Sequence, residues 1–456
     1  MQDFGNFENA KQEKNKKISR IIIICIVLVF IAIIAIMCTI IYLQQNALKV
    51  YIDGVSVNLP ADTIIIDESS GKIYVDIKGI ASYLGYDSHN GEYKLFTEDT
   101  NKCWVNCENE TASFFLNSNR ISKVEPDETK DYEDYLITDP VININGKLYT
   151  TSEGIKIGFN VLFDYNEQSN NIQIRTLPYL VERYTTIFKN YGYSGVSNNF
   201  NNQKAILYNL FVVRKDNGLY GVVDANNQEV ISSRYESMEF NENLKEFFVS
   251  NTSKKVGIVT QEGVTKINLL YDDIDMLDKN NGLYLVKNNN KYGVLGNTGN
   301  IVIHLEYDQI GVDTTKFPND TIKNKYLLFE NAIPVYQNKK WGLFDKTGKM
   351  ILPVEYDQIG YVASSNNSNR NVNNLLIIPN CKAIVLGKTY DKITQYGIYN
   401  YLGEQLVPCR LDSAYSITNA GVDTYYMDYQ GQTLEIESYI QRVHGSNSVI
   451  NTTDNQ

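Results

Sequence analysis

The chain has 456 residues, 43% hydrophobic and 21% charged, with a formal net charge of −11. That length exceeds one compact core and calls for two or three domains. The acidity argues against general nucleic-acid binding, which needs a basic face, and only 3 histidines in all make a histidine-rich metal or redox centre a poor reading.

The first element is apolar. Ile21 to Leu43 is 23 residues long without one charge. As a helix it would measure about 34 Å, enough to cross a hydrocarbon layer of about 30 Å. Lys11, Lys14, Lys16, Lys17 and Arg20 precede it, and only Lys49 follows closely. The positive-inside bias therefore predicts a cytoplasmic tail at residues 1–20 and the bulk of the chain, residues 44–456, outside the cell membrane. The run is too long for a signal h-region, and Gln44 to Ala47 lacks a small-x-small cleavage pattern, so it reads as an uncleaved signal anchor. Cys25 and Cys38 lie inside this span.

Residues 48–176 read as a small β-rich domain. Leu48 to Asn58 alternates apolar residues on both sides of Asp53-Gly54, a hairpin signal. Ile73 to Ile77 leads into a short helix ending near Leu84, with Gly85 as its cap. The pattern recurs with a hairpin at Asn145-Gly146, a short helix N-capped by Ser152, reaching Ile157 and ended by Gly158, and two strands, Phe159 to Asp164 and Asn171 to Arg175. Cys103 and Cys107 enclose three residues. On a strand, residues four apart lie about 13 Å apart, beyond disulfide reach, so a bridge there needs a turn. Free thiols, a disulfide and, with no second Cys/His pair, a metal stay open in that order. Cys381 and Cys409 stand alone.

In order, Asn145-Gly146, Ile157-Gly158, Phe163-Asp164 and Ile172 to Ile174 resemble the stalk-type domain similar to the N-terminal domain of copper amine oxidases. Thr150-Thr151 replaces that family's Val-Pro, and Phe163 its Trp. The family's oxidase chemistry resides in another domain with three histidine ligands. His89, His304 and His444 are isolated here, so no copper and no oxidase activity carry over.

Residues 177–205 read as a linker. It has a helix from Leu177-Pro178 through Phe188, then an Asn/Gly/Ser-rich loop from Asn190 to Gln203. From 206 to 437 the chain is periodic. A glycine follows an aromatic or valine in Tyr220-Gly221, Val256-Gly257, Tyr292-Gly293, Trp341-Gly342 and Tyr396-Gly397. Fourteen residues on stand Tyr235, Tyr271, Tyr307, Tyr356 and Leu411, each followed by an acid. Spacings of 36, 36, 49 and 55 between the glycines leave inserts such as Asp313 to Lys325 and Ser364 to Asn374 for loops. Each unit reads as a three-stranded meander, with a short fourth strand at the tyrosine. One such sheet cannot bury both faces, so neighbours must stack.

Over roughly residues 206–414 this resembles the WG-repeat family, named for its Trp-Gly dipeptide, although Trp341 alone keeps the tryptophan. The resemblance implies a generic binding or scaffold module. The fold class is therefore mainly β: a transmembrane helix, a small α+β stalk-like domain, and five or six β-meander repeats, propeller-like or as an open solenoid. Residues Thr424 to Glu437 read as a degenerate sixth unit or cap, and 438–456 as a flexible tail.

The repeat positions Tyr220, Gly221, Gly257, Tyr292, Gly293, Trp341, Gly342, Tyr396, Gly397, Tyr235, Tyr271, Tyr307 and Tyr356 read as packing rather than as a ligand platform. Single acids without a clustered Asp-x-Asp loop read as turn partners rather than calcium ligands. No nucleophile elbow, phosphate-cradling loop or His-Glu-x-x-His motif appears. No cofactor, metal or enzyme activity is expected. The order of elements predicts a membrane-anchored protein of the cell envelope that presents its repeats to a protein or a cell-wall polymer. An envelope hydrolase with its site in the repeat loops, or a receptor subunit signalling through a membrane partner, are the alternatives. The Ile-, Asn-, Lys- and Tyr-rich composition, with this pairing of families, is associated with Gram-positive bacteria.

Overall fold

The computed structural model describes residues 28–37, 48–90, 102–107, 109–124, 133–312, 328–330, 332–360, 376–419 and 422–445. Residues 28–37 are helical and exposed. Among the described residues no helix is long and apolar enough to cross a membrane. The rest of the run from Ile21 to Leu43, with Cys25 and Cys38, lies outside the described residues, as do the two polar inserts. Two compact units divide within the first repeat, one of residues 1–216 and 223–228, the other of residues 217–222 and 229–456.

In the first unit both sequence-predicted hairpins form. Lys49–Ile52 and Val55–Val57 turn at Asp53-Gly54, with φ of 50° and 81°, and Ile142–Ile144 and Lys147–Thr151 turn at Asn145-Gly146, with φ of 51° and 84°. Positive φ at both central residues is the type I′ requirement. The two half-motifs interlock. The first hairpin pairs in parallel with Asn171–Thr176, beside Val161–Asn166, and the second pairs with Ile73–Asp76, beside Ile64–Ile66. The helices Ile77–Tyr83 and Ser152–Phe159 bury Ile80, Ile155 and Phe159 against Val75, Val161 and Ile172 in one core. The second helix departs from the expectation at both ends. Ser152 is its first residue rather than its cap, and it passes Gly158 to stop at Asn160, with φ of 53°. Gly158 serves packing instead: a Cβ there would strike the Phe114 ring. Cys103 and Cys107 are buried thiols on one strand, Lys102–Cys107, of a five-stranded antiparallel meander, and Cys107 Sγ donates to the Gly158 carbonyl at 3.4 Å. Burial pushes the Cys103 thiol up to about 12.

The segment expected as a linker is built into this unit. Helix Leu177–Lys189 forms, but Asn190 to Gln203 also holds strand Tyr193–Val196 and helix Phe200–Lys204. Phe188, Val196, Ile206 and Phe211 bury one another. In the sequence these sparse apolar residues are hidden among Asn, Gly and Ser neighbours.

The second unit is a row of small antiparallel sheets. The second repeat's sheet comprises Ser237–Asn241, Glu246–Ser250, Val256–Thr260 and Thr265–Tyr271. The third comprises Asp273–Asp278, Leu283–Asn288, Lys291–Leu295 and Ile301–Tyr307. The fourth and fifth repeat the plan around Trp341 and Tyr396. The strand after each tyrosine belongs to the next sheet, not to its own, so the sequence repeat is offset from the structural one by a strand. Apolar clusters bridge each sheet to the next. The row ends in a three-stranded sheet, Ser413–Asn419, Val422–Tyr429 and Gln432–Glu435, and in the helix Ile436–His444. That helix replaces the start of the expected flexible tail. Ile436 and Ile440, one turn apart, bury against Val407, Leu411 and Met427.

Candidate functional site

The motif residues explain how the row is held. Opposite Gly257, Gly293, Gly342 and Gly397 of the Trp-Gly-type dipeptides, the next strand bulges. A Cβ on Gly257, Gly293, Gly342 or Gly397 would stand 2.6, 2.9, 2.9 or 3.0 Å from the carbonyl oxygen of Ile267, Ile303, Leu352 or Val407, and Gly221 meets Ile231 at 2.7 Å. Only glycine admits so close a strand. The residue before it faces the residue fourteen beyond it: Tyr292 opposes Tyr307, Trp341 opposes Tyr356, Val256 opposes Tyr271, and Tyr396 opposes Leu411. Tyr235, Tyr307, Tyr356 and Tyr396 are buried, while Tyr220, Tyr271, Tyr292 and Trp341 are half-buried. Burial, with Glu306 beside it, pushes Tyr307 up to about 12.

A second glycine and the recurring acid latch each sheet to its neighbour. Gly263, Gly299, Gly348 and Gly403 have φ of +84°, +77°, +90° and +85°, and their missing Cβ would press on the carbonyls of Val230, Lys266, Val302 and Ile351 in the preceding repeat. The amide N–H of Glu236, Asp272, Asp308, Asp357 and Asp412 donates to Ser250, Lys287, Tyr336, Gly387 and Asp428 of the following sheet. The side chains of Asp272 and Asp308 also accept from the Asn289 and Asn338 amides at 2.7 and 3.1 Å and pair with Lys255 and Lys291, both at 2.6 Å. The lysine hydrogen bond first, then the amide, holds both carboxyls below their ordinary value.

Against this regular frame one boundary differs. The residue nine beyond the dipeptide glycine is Val230, Lys266, Val302, Ile351 and Leu406 in the five repeats. Between the third and fourth sheets, Leu283, Val302 and Ile333 share one apolar cluster. Between the fourth and fifth, the corresponding Ala332, Ile351 and Ile384 do the same. Between the second and third the same slot holds Glu246, Lys266 and Tyr284. The side chains of Lys266 and Glu246 are each 9% exposed, and Tyr284 is 1% exposed. Lys266 Nζ donates to Glu246 Oε1, to the Tyr284 hydroxyl at 2.7 Å and to Asn297 Oδ1 at 2.7 Å. The Tyr284 hydroxyl donates to Glu246 Oε2 at 2.8 Å. Burial, and then Glu246, drives the phenol well above its ordinary value.

Over this network lies a cleft of about 800 Å³. Turns from both sheets line it, including Asn243, Leu244, Val264, Lys279, Asn281 and Asn297. Sequence reasoning singles out none of these residues. The signal is present in the repeat frame, as a lysine at a position that is otherwise apolar.

In the first unit a second buried polar cluster joins Glu110 to Lys123 at 2.8 Å, to Lys204 and to Asn160 at 2.9 Å. Burial works against the Glu110 charge, but the two ammonium groups hold its carboxyl below the ordinary value. The histidines are apart from each other. His89 stacks on Trp104 with centroids 4.2 Å apart, His444 Nε2 lies 2.8 Å from the Leu406 carbonyl, and His304 is exposed. Among the described residues no group of three or more His, Cys, Asp or Glu is placed to hold a metal.

A family model described as the WG containing repeat matches residues 220–244, 257–292, 292–313 and 341–366. The array is built of WG repeats. The fifth repeat, around Gly397, lies beyond these segments but keeps the same bulge and the same backbone latch. No curated protein matches the chain. Among solved structures, the chain is similar to a eukaryotic initiation factor, at 12% identity and TM-score 0.23 over 51% of this chain and 60% of that one. It is also similar to the WD40 β-propeller domain of Doa1, at 9% identity and TM-score 0.17 over 72% and 88%. A third is the WD40 domain of Toxoplasma gondii coronin, at 8% identity and TM-score 0.19 over 50% and 67%. The chain thus spans 60% of the initiation-factor structure's length. These likenesses are too distant to bear on what the chain does.

Proposed function

We propose that this protein is a non-catalytic binding module of the cell envelope. Its WG repeats present the cleft between the second and third sheets to an extracellular protein or cell-wall polymer. The apolar run from Ile21 to Leu43 anchors it in the membrane, and the stalk-like domain resembling that of copper amine oxidases carries the array.

The observation that carries the reading is the polar slot. A stack that buries aliphatic residues at the equivalent boundaries holds a lysine, a glutamate and a tyrosine here, under a cleft of ligand size. Clefts of roughly 300–1,000 Å³ are the usual binding volume. Binding rather than catalysis is favoured because both oxygens of Glu246 and all three protons of Lys266 are engaged within the network, so neither is poised to take or give a proton. Membrane-impermeant amine labelling of intact cells tests the placement. Lys279, exposed at the cleft, is expected to react before lysis. Labelling that appears only after lysis would sink the external placement.

A further inference from the structure

The cleft's polar groups have a fixed sense. An ammonium group only donates, so Lys266 turns Asn297 with its Oδ1 inward. The exposed Asn297 amide therefore shows its two N–H donors to the cleft. Beside it, on the neighbouring turn of the same sheet, where Gly282 packs against Asn297, Asn281 Nδ2 donates to Asp278 Oδ2 at 2.9 Å, and Asp278 pairs with Lys346 at 2.6 Å. Burial works against the Asp278 charge, but Lys346 and the Asn281 donors hold its carboxyl below the ordinary value. As a carboxylate only accepts, Asn281 is left with its carbonyl oxygen outward. The third sheet's side of the cleft thus offers donors and an acceptor on adjacent turns, each set by a charged residue behind it.

We propose that the cleft binds an uncharged oligosaccharide through its hydroxyl groups, with Lys266 and Asp278 as positioning residues. A hydroxyl both donates and accepts, so neighbouring hydroxyls satisfy both amides, whereas a carboxylate wastes the acceptor and an ammonium wastes the donors. Glu246 is already paired with Lys266 and with the Tyr284 hydroxyl, so it offers a cation or a basic peptide no uncompensated charge. Leu244 and the exposed Val264 give the apolar surface that the C–H face of a sugar ring covers. The lining comes mostly from turns, so it offers little strand edge for an extended peptide to join. The overall charge of −11 favours a neutral polymer over an acidic one.

This inference rests on the cleft being the binding site, and the test separates the two. The full chain in detergent is titrated calorimetrically with neutral hexasaccharides of glucose and of N-acetylglucosamine, and with heparin as the anionic arm. Acylation of Lys279 reports occupancy of the cleft. At least one neutral hexasaccharide is expected to bind and to protect Lys279. Asn297→Asp keeps the oxygen that faces Lys266 but replaces the outward donors with an acceptor, and it is expected to weaken binding about tenfold. The triple variant Glu246→Leu, Lys266→Val, Tyr284→Ile copies the next boundary and is expected to weaken it at least as much while remaining folded by circular dichroism. Binding of heparin alone, with Lys279 protected, overturns the uncharged class and leaves the cleft standing. Neutral-sugar binding that neither protects Lys279 nor responds to either variant overturns the cleft itself. So does the absence of any protection by any of the three probes.

Discussion

Two boundaries of the same array solve one packing problem in opposite ways. Between the third and fourth sheets, Leu283, Val302 and Ile333 meet as aliphatic surface. Between the second and third, Glu246, Lys266 and Tyr284 fill the same slot as a closed hydrogen-bond network. The backbone frame is common to both. Gly299 presses on the Lys266 carbonyl as Gly348 presses on that of Val302, and Asp272 and Asp308 latch the following sheet alike. At these points the two boundaries differ in their side chains, although the strand that opens the following sheet is also longer at the polar one, Asp273–Asp278 against Gln309–Ile310. Desolvating two charges is expensive, and burying a paired lysine and glutamate seldom stabilises more than well-packed aliphatics of similar volume. Stability alone therefore does not account for a lysine where the next repeat has valine, and the binding role proposed for the cleft above it would account for it.

The largest expected effect is that of breaking the network on one side. Lys266→Met leaves the Glu246 carboxylate buried with only the Tyr284 donor. A loss of about 3–5 kcal/mol in urea unfolding is expected. A loss below about 1 kcal/mol would mean that water reaches the slot and that it is not a closed network. The latch glycines come next. Gly348→Ala places a Cβ against the Val302 carbonyl at φ of +90°, and the backbone strain alone costs about 1–3 kcal/mol. Gly299→Ala should cost a similar amount, because the carbonyl it meets belongs to the common frame and not to the lysine side chain.

Removing all three polar groups should behave differently from removing one. The triple replacement by Leu, Val and Ile is expected to be neutral or to stabilise by about 1–4 kcal/mol, measured as the urea midpoint at unchanged m-value. A strongly destabilised triple variant would show that the slot is shaped for polar groups and cannot revert to the aliphatic plan. Tyr284→Phe is milder. It removes one of the donors to Glu246 and one acceptor of Lys266, and about 1–3 kcal/mol should be lost. Its counterpart in the preceding repeat is already a phenylalanine, Phe247, so the ring itself fits.

Much of this frame is legible in the amino-acid sequence. Alternation about Asp53-Gly54 and Asn145-Gly146 marks hairpins because type I′ turns demand positive φ there, and spacing from Gly221 to Gly397 marks the repeats because a bulged strand tolerates no Cβ. What escapes is non-local. Gly158 reads as a helix stop and is instead a gap left for Phe114, a residue 44 positions away. The segment from Asn190 to Gln203 reads as loop because its composition is polar, yet a few apolar side chains fold it onto its neighbours. The strand after each tyrosine changes sheet, and a period alone does not say which sheet a strand joins. The candidate site is hidden differently. Lys266 stands in plain view as the odd residue in an apolar column, but a single lysine in one repeat acquires meaning only when Glu246 and Tyr284, 20 residues before it and 18 after, are found in contact with it.

The smallest effect is also the control for the comparison. Asp272 latches the polar boundary and Asp308 the apolar one, and both carboxyls are held below their ordinary value mainly by a lysine hydrogen bond. A carboxyl whose folded pKa is depressed contributes stability above its unfolded pKa, about 3.9, and loses it as pH falls through the folded value. The melting temperature should therefore hold from neutral pH to about pH 5, and its decline below about pH 4 should become shallower in either Asp272→Asn or Asp308→Asn. Both latches are solvent-exposed and salt-screened, so each change should be small, weaker still at high ionic strength, and the same for the two variants. Equal slopes confirm that the frame is shared and that the boundaries differ in their filling. A markedly steeper response at Asp272 would show that the latch and the buried lysine network titrate together, and the polar slot would then have to be treated as extending to the surface.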